Sequence, residues 1–123
     1  MSVLSNLRGE LADELAGDIT VYEHVPARAA LPAAFVMAGS PYIEQGATFG
    51  ERLVRFSVVL LSSPGPNSIE TVELDERIET VQRRLLAADW LVESVSQPQL
   101  QDLNGAEVLA VELAVSTLAT FPE

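Results

Sequence analysis

The chain has 123 residues, enough for one domain with its own core, and 48% of them are apolar, which is typical of a globular protein and argues against intrinsic disorder. It contains no cysteine, which excludes disulfides and thiol chemistry, and it lacks the apolar run of about 18 residues that a membrane-spanning helix needs. Eighteen acidic residues against seven arginines give a net charge of −11, so a basic face that grips nucleic acid is not expected.

The first predicted element is a helix over residues 2–16, because leucines recur there at steps of three and four. Ser2 is the predicted N-cap, and Gly17 is predicted to end the helix in the left-handed conformation. The segment lacks the basic start and the continuous apolar core of a signal peptide, so we expect the protein to stay in the cytoplasm of the cell that makes it. The leucines of this stripe are Leu4, Leu7, Leu11 and Leu15.

Three strands are predicted next. The segment "DITVYEHVP" (18–26) alternates apolar and polar residues and ends at Pro26, and a short apolar strand follows from Phe35 to Met37. The third segment, "RLVRFSVVLLSS" (52–63), alternates over its whole length and is the strongest strand signal in the chain.

A second helix is predicted from Asn67 to about Ala88, and Asn67 and Glu70 have the spacing of a capping box. The segment "DWLVESVSQPQL" (89–100) predicts a fourth strand that is broken near Pro98. Asn104 and Gly105 then predict a type I′ hairpin turn before a long final strand, a candidate for an edge of the sheet. The apolar stripe of the second helix consists of Leu74, Ile78, Val81, Leu85 and Ala88.

The element order α-β-β-β-α-β-β predicts an α+β fold in a single domain, residues 1–123. In this fold two helices pack on one face of an antiparallel or mixed sheet of about five strands.

No constellation of catalytic or metal-binding residues is visible in the sequence. The single histidine, His24, is predicted to lie mid-strand and has no HxH, HExxH or cysteine partner, so a zinc site is not expected. The GxSxG, P-loop and dinucleotide-binding motifs are absent, and neighbouring carboxylates are typical of an acidic surface. We therefore expect no enzyme, no metal and no cofactor.

The segment Ser40–Leu53 is predicted to be a loop, since it holds Gly46 and Gly50, yet it carries three large apolar side chains. These side chains either fold back as a satellite of the core or insert between copies of the protein or into a neighbouring protein. Under the second interpretation they form a subunit interface together with two arginines at the start of the third strand. The candidate interface residues are Tyr42, Ile43, Phe49, Arg52 and Arg55.

Three segments together resemble the small tail terminator proteins of long-tailed phages and related head–tail joining proteins of the same fold. They are the end of the first helix with the first strand, "ELAGDITVYEHVP", the long segment "RFSVVLLSSPGPNSIETVELDERIETVQRRLLAAD", and the closing hairpin "LNGAEVLAVELAVST". The resemblance covers essentially the whole chain and lies in the order and spacing of its elements.

The resemblance implies a virion protein of the tail and neck region that is assembled in the host cytoplasm. Such proteins form a ring, usually a hexamer, that caps the tail tube protein, ends tube growth and docks the head connector. DNA passes through the channel of the ring without specific binding, and no membrane is involved. An acidic protein suits this role because acids repel phosphate.

Other functions remain open at this stage. The first is another station of the same machine: a head-closure, tail-completion or minor tail protein. The second is a small bacterial α+β domain that binds a ligand or acts like an antitoxin. An enzyme comes last, because it would require carboxylates that converge in a cleft.

Overall fold

The computed structural model describes residues 2–17, 19–24, 30–46, 48–62, 67–103 and 106–121. Within them the α+β prediction is confirmed, with two helices and a six-stranded mixed sheet. The sheet has one strand more than expected, because the predicted fourth strand divides at Pro98, whose nitrogen cannot donate to a ladder. The elements are α1 (Val3–Leu15), β1 (Thr20–Tyr22), β2 (Ala33–Gln45), β3 (Glu51–Leu61), α2 (Asn67–Ala87), β4 (Leu91–Val95), β5 (Gln99–Leu103) and β6 (Ala106–Thr120).

The sheet has the order β1-β2-β3-β6-β4, and β5 pairs with another part of β6. Only the short pairing of β1 with β2 is parallel. β3 pairs with β6 along its whole length, from Glu51 opposite Thr120 to Leu61 opposite Ala110. The prediction that the final strand lies at an edge is wrong, because β4 and β5 both fold back onto the other side of β6.

The main core lies between the helices and one face of the sheet. Alternate residues of β3 are fully buried there, and Phe56 pairs across the ladder with Val115. Both predicted helical stripes supply the opposite side, α1 through Leu11 and Leu15. The alternation in β3 therefore decides which face of the sheet the helices cover. The buried residues of β3 and α2 in this core are Val54, Phe56, Val58, Leu60, Leu74, Val81 and Leu85.

The start of α1 follows the prediction, and its end does not. The hydroxyl of Ser2 accepts a hydrogen bond from the backbone N–H of Ser5 at 3.0 Å, which confirms Ser2 as the N-cap. The helix ends instead at Ala16, whose backbone is extended, and Gly17 has no positive φ. Arg84 of α2 donates a 2.8 Å hydrogen bond to the carbonyl of Ala16, so a tertiary contact satisfies the helix end.

The end of α2 is a Schellman motif without glycine. Asp89 has φ +66°, and its N–H donates to the carbonyl of Leu86. The N–H of Trp90 donates to the carbonyl of Leu85 at 2.8 Å, and both side chains are buried in the core.

At the other end α2 begins at Asn67, as predicted. The side chain of Asn67 lies outside the described residues, and so do Asn104 and Gly105 of the predicted hairpin turn.

β1 is shorter than predicted, and His24 lies in a bend after it, exposed, rather than mid-strand. The remaining residues of that predicted strand, Val25 and Pro26, lie outside the described residues. None of the described helices is long and apolar enough to span a membrane.

Candidate subunit interface

The segment predicted as a loop is mostly a two-stranded arm. β2 continues to Gln45 and β3 begins at Glu51, so the turn between them covers only residues 46–50. The ladder runs through Ile43 opposite Val54 and Gln45 opposite Arg52. The loop prediction is wrong because Gly46 follows directly on the ladder and is not part of a long loop. The two segments approach so closely there that a Cβ at Gly46 would lie 2.8 Å from the Cβ of Glu51. We call residues 43–54 the arm.

A bulge in β2 separates the arm from the rest of the hairpin. The register shifts between Ala38 and Ile43, so that extra residues of β2 oppose Arg55. Gly39 makes this possible, since a Cβ at that position would lie only 2.7 Å from the Cβ of Arg55. Pro41, which has no N–H to donate, lies within the bulge.

Tyr42 belongs to the core of its own subunit. Its ring packs edge-on against Phe56, with 5.6 Å between ring centroids. Its hydroxyl accepts a 3.1 Å hydrogen bond from Nη2 of Arg8, and the Arg8 guanidinium lies 5.5 Å from the Phe56 centroid. Of the two interpretations of the apolar segment, the core satellite is confirmed for Tyr42, because the bulge turns this residue onto the helix side.

Phe49 and Ile43 remain outside the core. Phe49 lies at the tip of the arm with its side chain fully exposed, and Ile43 is 41% exposed. The tip is held by backbone hydrogen bonds between Gly46 and Glu51 at 3.0 Å and between Glu51 and Thr48 at 3.2 Å. Gly50 has φ +86°, a conformation that glycine adopts without strain. The turn therefore presents a large apolar side chain to the solvent on a hydrogen-bonded support.

The two arginines of the candidate interface differ in their surroundings. Arg55 forms ion pairs with Glu44 of β2 and, through Nε at 3.0 Å, with Glu93 of β4. Hydrogen bonds to Glu44 and then Glu93 raise the pKa of Arg55, so its protonated form is favoured in the fold. Arg52 instead donates to the backbone carbonyl of Glu51 at 2.9 Å. Among the described residues it forms no ion pair with a carboxylate. Arg55 therefore joins the base of the arm to the sheet, while the charge of Arg52 is available to a neighbour.

A groove lies on the sheet face opposite the helices. Its volume is about 440 Å³, and its apolar floor includes Phe35, Val59, Leu61 and Ala110. A small buried cluster of Ala33, Leu61 and Val108 adjoins it at the same end of the sheet. This groove could not be predicted from the sequence, because alternation within one strand does not show which residues of distant strands lie side by side. The described residues of its rim include Ser96, Gln97, Gln99, Gln101 and Glu112.

Further apolar side chains are exposed on both sides of the molecule. Leu91 and Leu118 lie on the sheet face opposite the helices, 58% and 52% exposed, and Leu118 pairs across the ladder with Leu53. α2 exposes Ile69 and Val72 away from its buried stripe. In the described part of the chain, no three His, Asp or Glu side chains come together in a way that could hold a metal ion.

The arm, the groove and the exposed leucines are thus the features that a function has to explain. Compared with protein-family models, the chain gives no match. Compared with curated proteins, it gives no match either.

Proposed function

We propose that this chain is a structural protein of a phage virion, a tail terminator. Its copies form a ring that caps the tail tube, ends tube growth and offers a docking surface to the head connector. The observation that carries the proposal is the arm, which projects a fully exposed Phe49 from a hydrogen-bonded turn. The proposal of a ring on the tail tube comes from the resemblance of the element order to that of tail terminator proteins.

The exposed phenyl ring of Phe49 contributes nothing to the core of its own subunit. Burying such a side chain in a partner is worth about 1.5–3 kcal/mol, and aromatic residues are enriched among the residues that dominate protein interfaces. A two-stranded arm is a suitable carrier, because its ladder fixes the direction of the tip. The arm therefore favours a protein that acts by contact with other subunits.

The rest of the surface supports the same function. The helices cover only one face of the sheet among the described residues, and the other face exposes Leu91 and Leu118 beside the Arg55 ion pairs. A subunit that has two different contact surfaces forms a ring when the rotation between neighbouring subunits closes. The net charge of −11 suits a channel that DNA crosses without being held. The hexameric state is taken from the family that the chain resembles.

The experiment that tests this proposal follows tube growth. Tail-tube subunits of the phage that encodes the chain are allowed to polymerise with and without the protein, and tube lengths are measured by electron microscopy. We expect wild-type protein to stop growth and give short tubes of narrow length distribution. Phe49→Ala should remain folded and lose this effect, whereas Leu100→Ala, which shortens another exposed apolar side chain, should keep it.

Two outcomes would overturn the proposal. If wild-type protein leaves tube length unchanged but binds purified head connector, the chain serves another station of the head–tail junction. If it binds neither, a phage role of this kind is wrong.

A further inference from the structure

We infer that Phe49 of one copy docks into the groove on the sheet face of a second copy, beside Glu112. The occupant of the groove is thus this same chain. The inference names the subunit contact that the proposed ring would use, and it rests on the proposed function only for closure of the ring.

The two surfaces lie too far apart to meet within one subunit. The tip of the arm precedes Glu51 at one end of β3, and the groove surrounds Leu61 at the other end. β3 has 11 residues, a length of about 35 Å. Because β3 pairs with β6 along its whole length, β3 cannot bend to bring the tip of the arm to the groove of the same subunit. The contact is therefore made between copies, and it joins unlike surfaces head to tail.

The dimensions and chemistry of the groove suit an aromatic side chain. Its volume of about 440 Å³ falls within the range of pockets that take small organic groups, roughly 300–1,000 Å³. The floor formed by Val59, Leu61 and Ala110 is apolar, so a phenyl ring placed there would contact apolar side chains. The glutamine side chains of the rim can stay in water around it.

Each surface contributes one charge to the inferred contact, Arg52 from the arm and Glu112 from the groove, while the carboxylate of Glu51 at the tip accepts a 2.7 Å hydrogen bond from Thr48. Glu112 is the charged residue among the described lining residues of the groove, and its side chain is exposed. Arg52 follows Phe49 closely in the arm and forms no ion pair with a carboxylate among the described residues. The inference pairs Arg52 of the arm-bearing copy with Glu112 at the rim of the groove. Opposite charges at the rim of a contact speed association and select the orientation.

A cross-linking experiment tests the contact directly, since the chain has no cysteine of its own. One preparation carries Thr48→Cys, next to an intact Phe49, and a second carries Gln101→Cys on the rim of the groove. The control for the second is Leu100→Cys, its neighbour in β5, which is 60% exposed on the other face of the sheet. A disulfide requires Cα atoms within about 7 Å, so only docked copies can form it.

We expect the mixture of Thr48→Cys with Gln101→Cys to give a disulfide-linked heterodimer, and the mixture with Leu100→Cys to give far less. Adding Phe49→Ala to the Thr48→Cys protein should lower the association constant by about tenfold to a hundredfold and the yield with it. Equal yields with Gln101→Cys and Leu100→Cys, or no cross-link with Gln101→Cys, would overturn the inference.

Exchanging the charges of Arg52 and Glu112 tests whether these two side chains meet in the contact. Arg52→Glu in the arm-bearing copy, or Glu112→Arg in the groove-bearing copy, should each lower the cross-link yield. Mixing the two variants should restore it, because opposite charges then face each other again. A mixture that performs no better than either single variant would show that Arg52 and Glu112 do not meet.

The two proposals can fail separately. Cross-linking without any effect on tube length would keep the docking contact and reject the terminator function. Arrest of tube growth by wild-type protein, with no specific cross-link, would keep the function and reject this contact.

Discussion

Two aromatic residues close together in the sequence have opposite roles. Tyr42 packs on Phe56 and accepts a hydrogen bond from Arg8, while Phe49 has its side chain in solvent at the tip of the arm. The sequence could show that both were unusual for a loop. It could not show which of them was buried, because the bulge at residues 39–42 changes the side on which Tyr42 lies.

This difference predicts that substitutions at Tyr42 and Phe49 affect stability to different extents. Tyr42→Phe keeps the ring but removes the acceptor for Arg8, and should lower the free energy of unfolding by about 0.5–1.5 kcal/mol. Phe49→Ala should change it by less than about 0.5 kcal/mol, because no contact within the subunit is lost. Urea denaturation followed by circular dichroism measures both. A loss of more than about 1 kcal/mol on Phe49→Ala would mean that this side chain packs on its own subunit.

At the scale of elements, the two helices and the strands β3 and β6 follow from periodicity alone, whereas the 13-residue β2 was predicted only as a short strand. The stripes of α1 and α2 and the alternation of β3 are all found in the core. The arm could not be predicted, because Gly46 and Gly50 suggest a loop although they serve the end of a ladder and a turn. The central position of β6 was also hidden, since edge and central strands alternate in the same way and only the return of β4 and β5 distinguishes them.

The end of α2 gives a prediction at this scale. Asp89 occupies the left-handed position of the Schellman motif, where glycine is usual, and an L-residue there is strained. We expect Asp89→Gly to raise the free energy of unfolding by about 0.5–1 kcal/mol. Asp89→Ala, which removes the carboxylate but keeps a Cβ, is the matched control and should not stabilise the protein. Thermal denaturation of the three proteins decides between them, and equal midpoints for Gly and Ala would contradict a backbone origin of the strain.

At the scale of the whole molecule, the helices cover one face of the sheet and leave the other face open among the described residues. The covered face holds the main core, whereas the opposite face carries the groove, the Arg55 ion pairs and exposed leucines. The order of elements was enough to predict two helices on one face. The sequence selected the segment of Phe49 and Arg52 as a candidate interface, and this stays a prediction. The groove could not be selected in this way, because it depends on contacts between β2, β3, β5 and β6 that only the fold brings together.

The proposal that the protein acts by fitting its arm against neighbouring subunits is tested most directly by a cryo-electron microscopy structure of tail tubes polymerised in its presence. We expect a closed ring of copies at the tube end, with each Phe49 side chain buried against the adjacent subunit. A tube end that carries a single copy, or a ring in which every Phe49 remains in solvent, would contradict it.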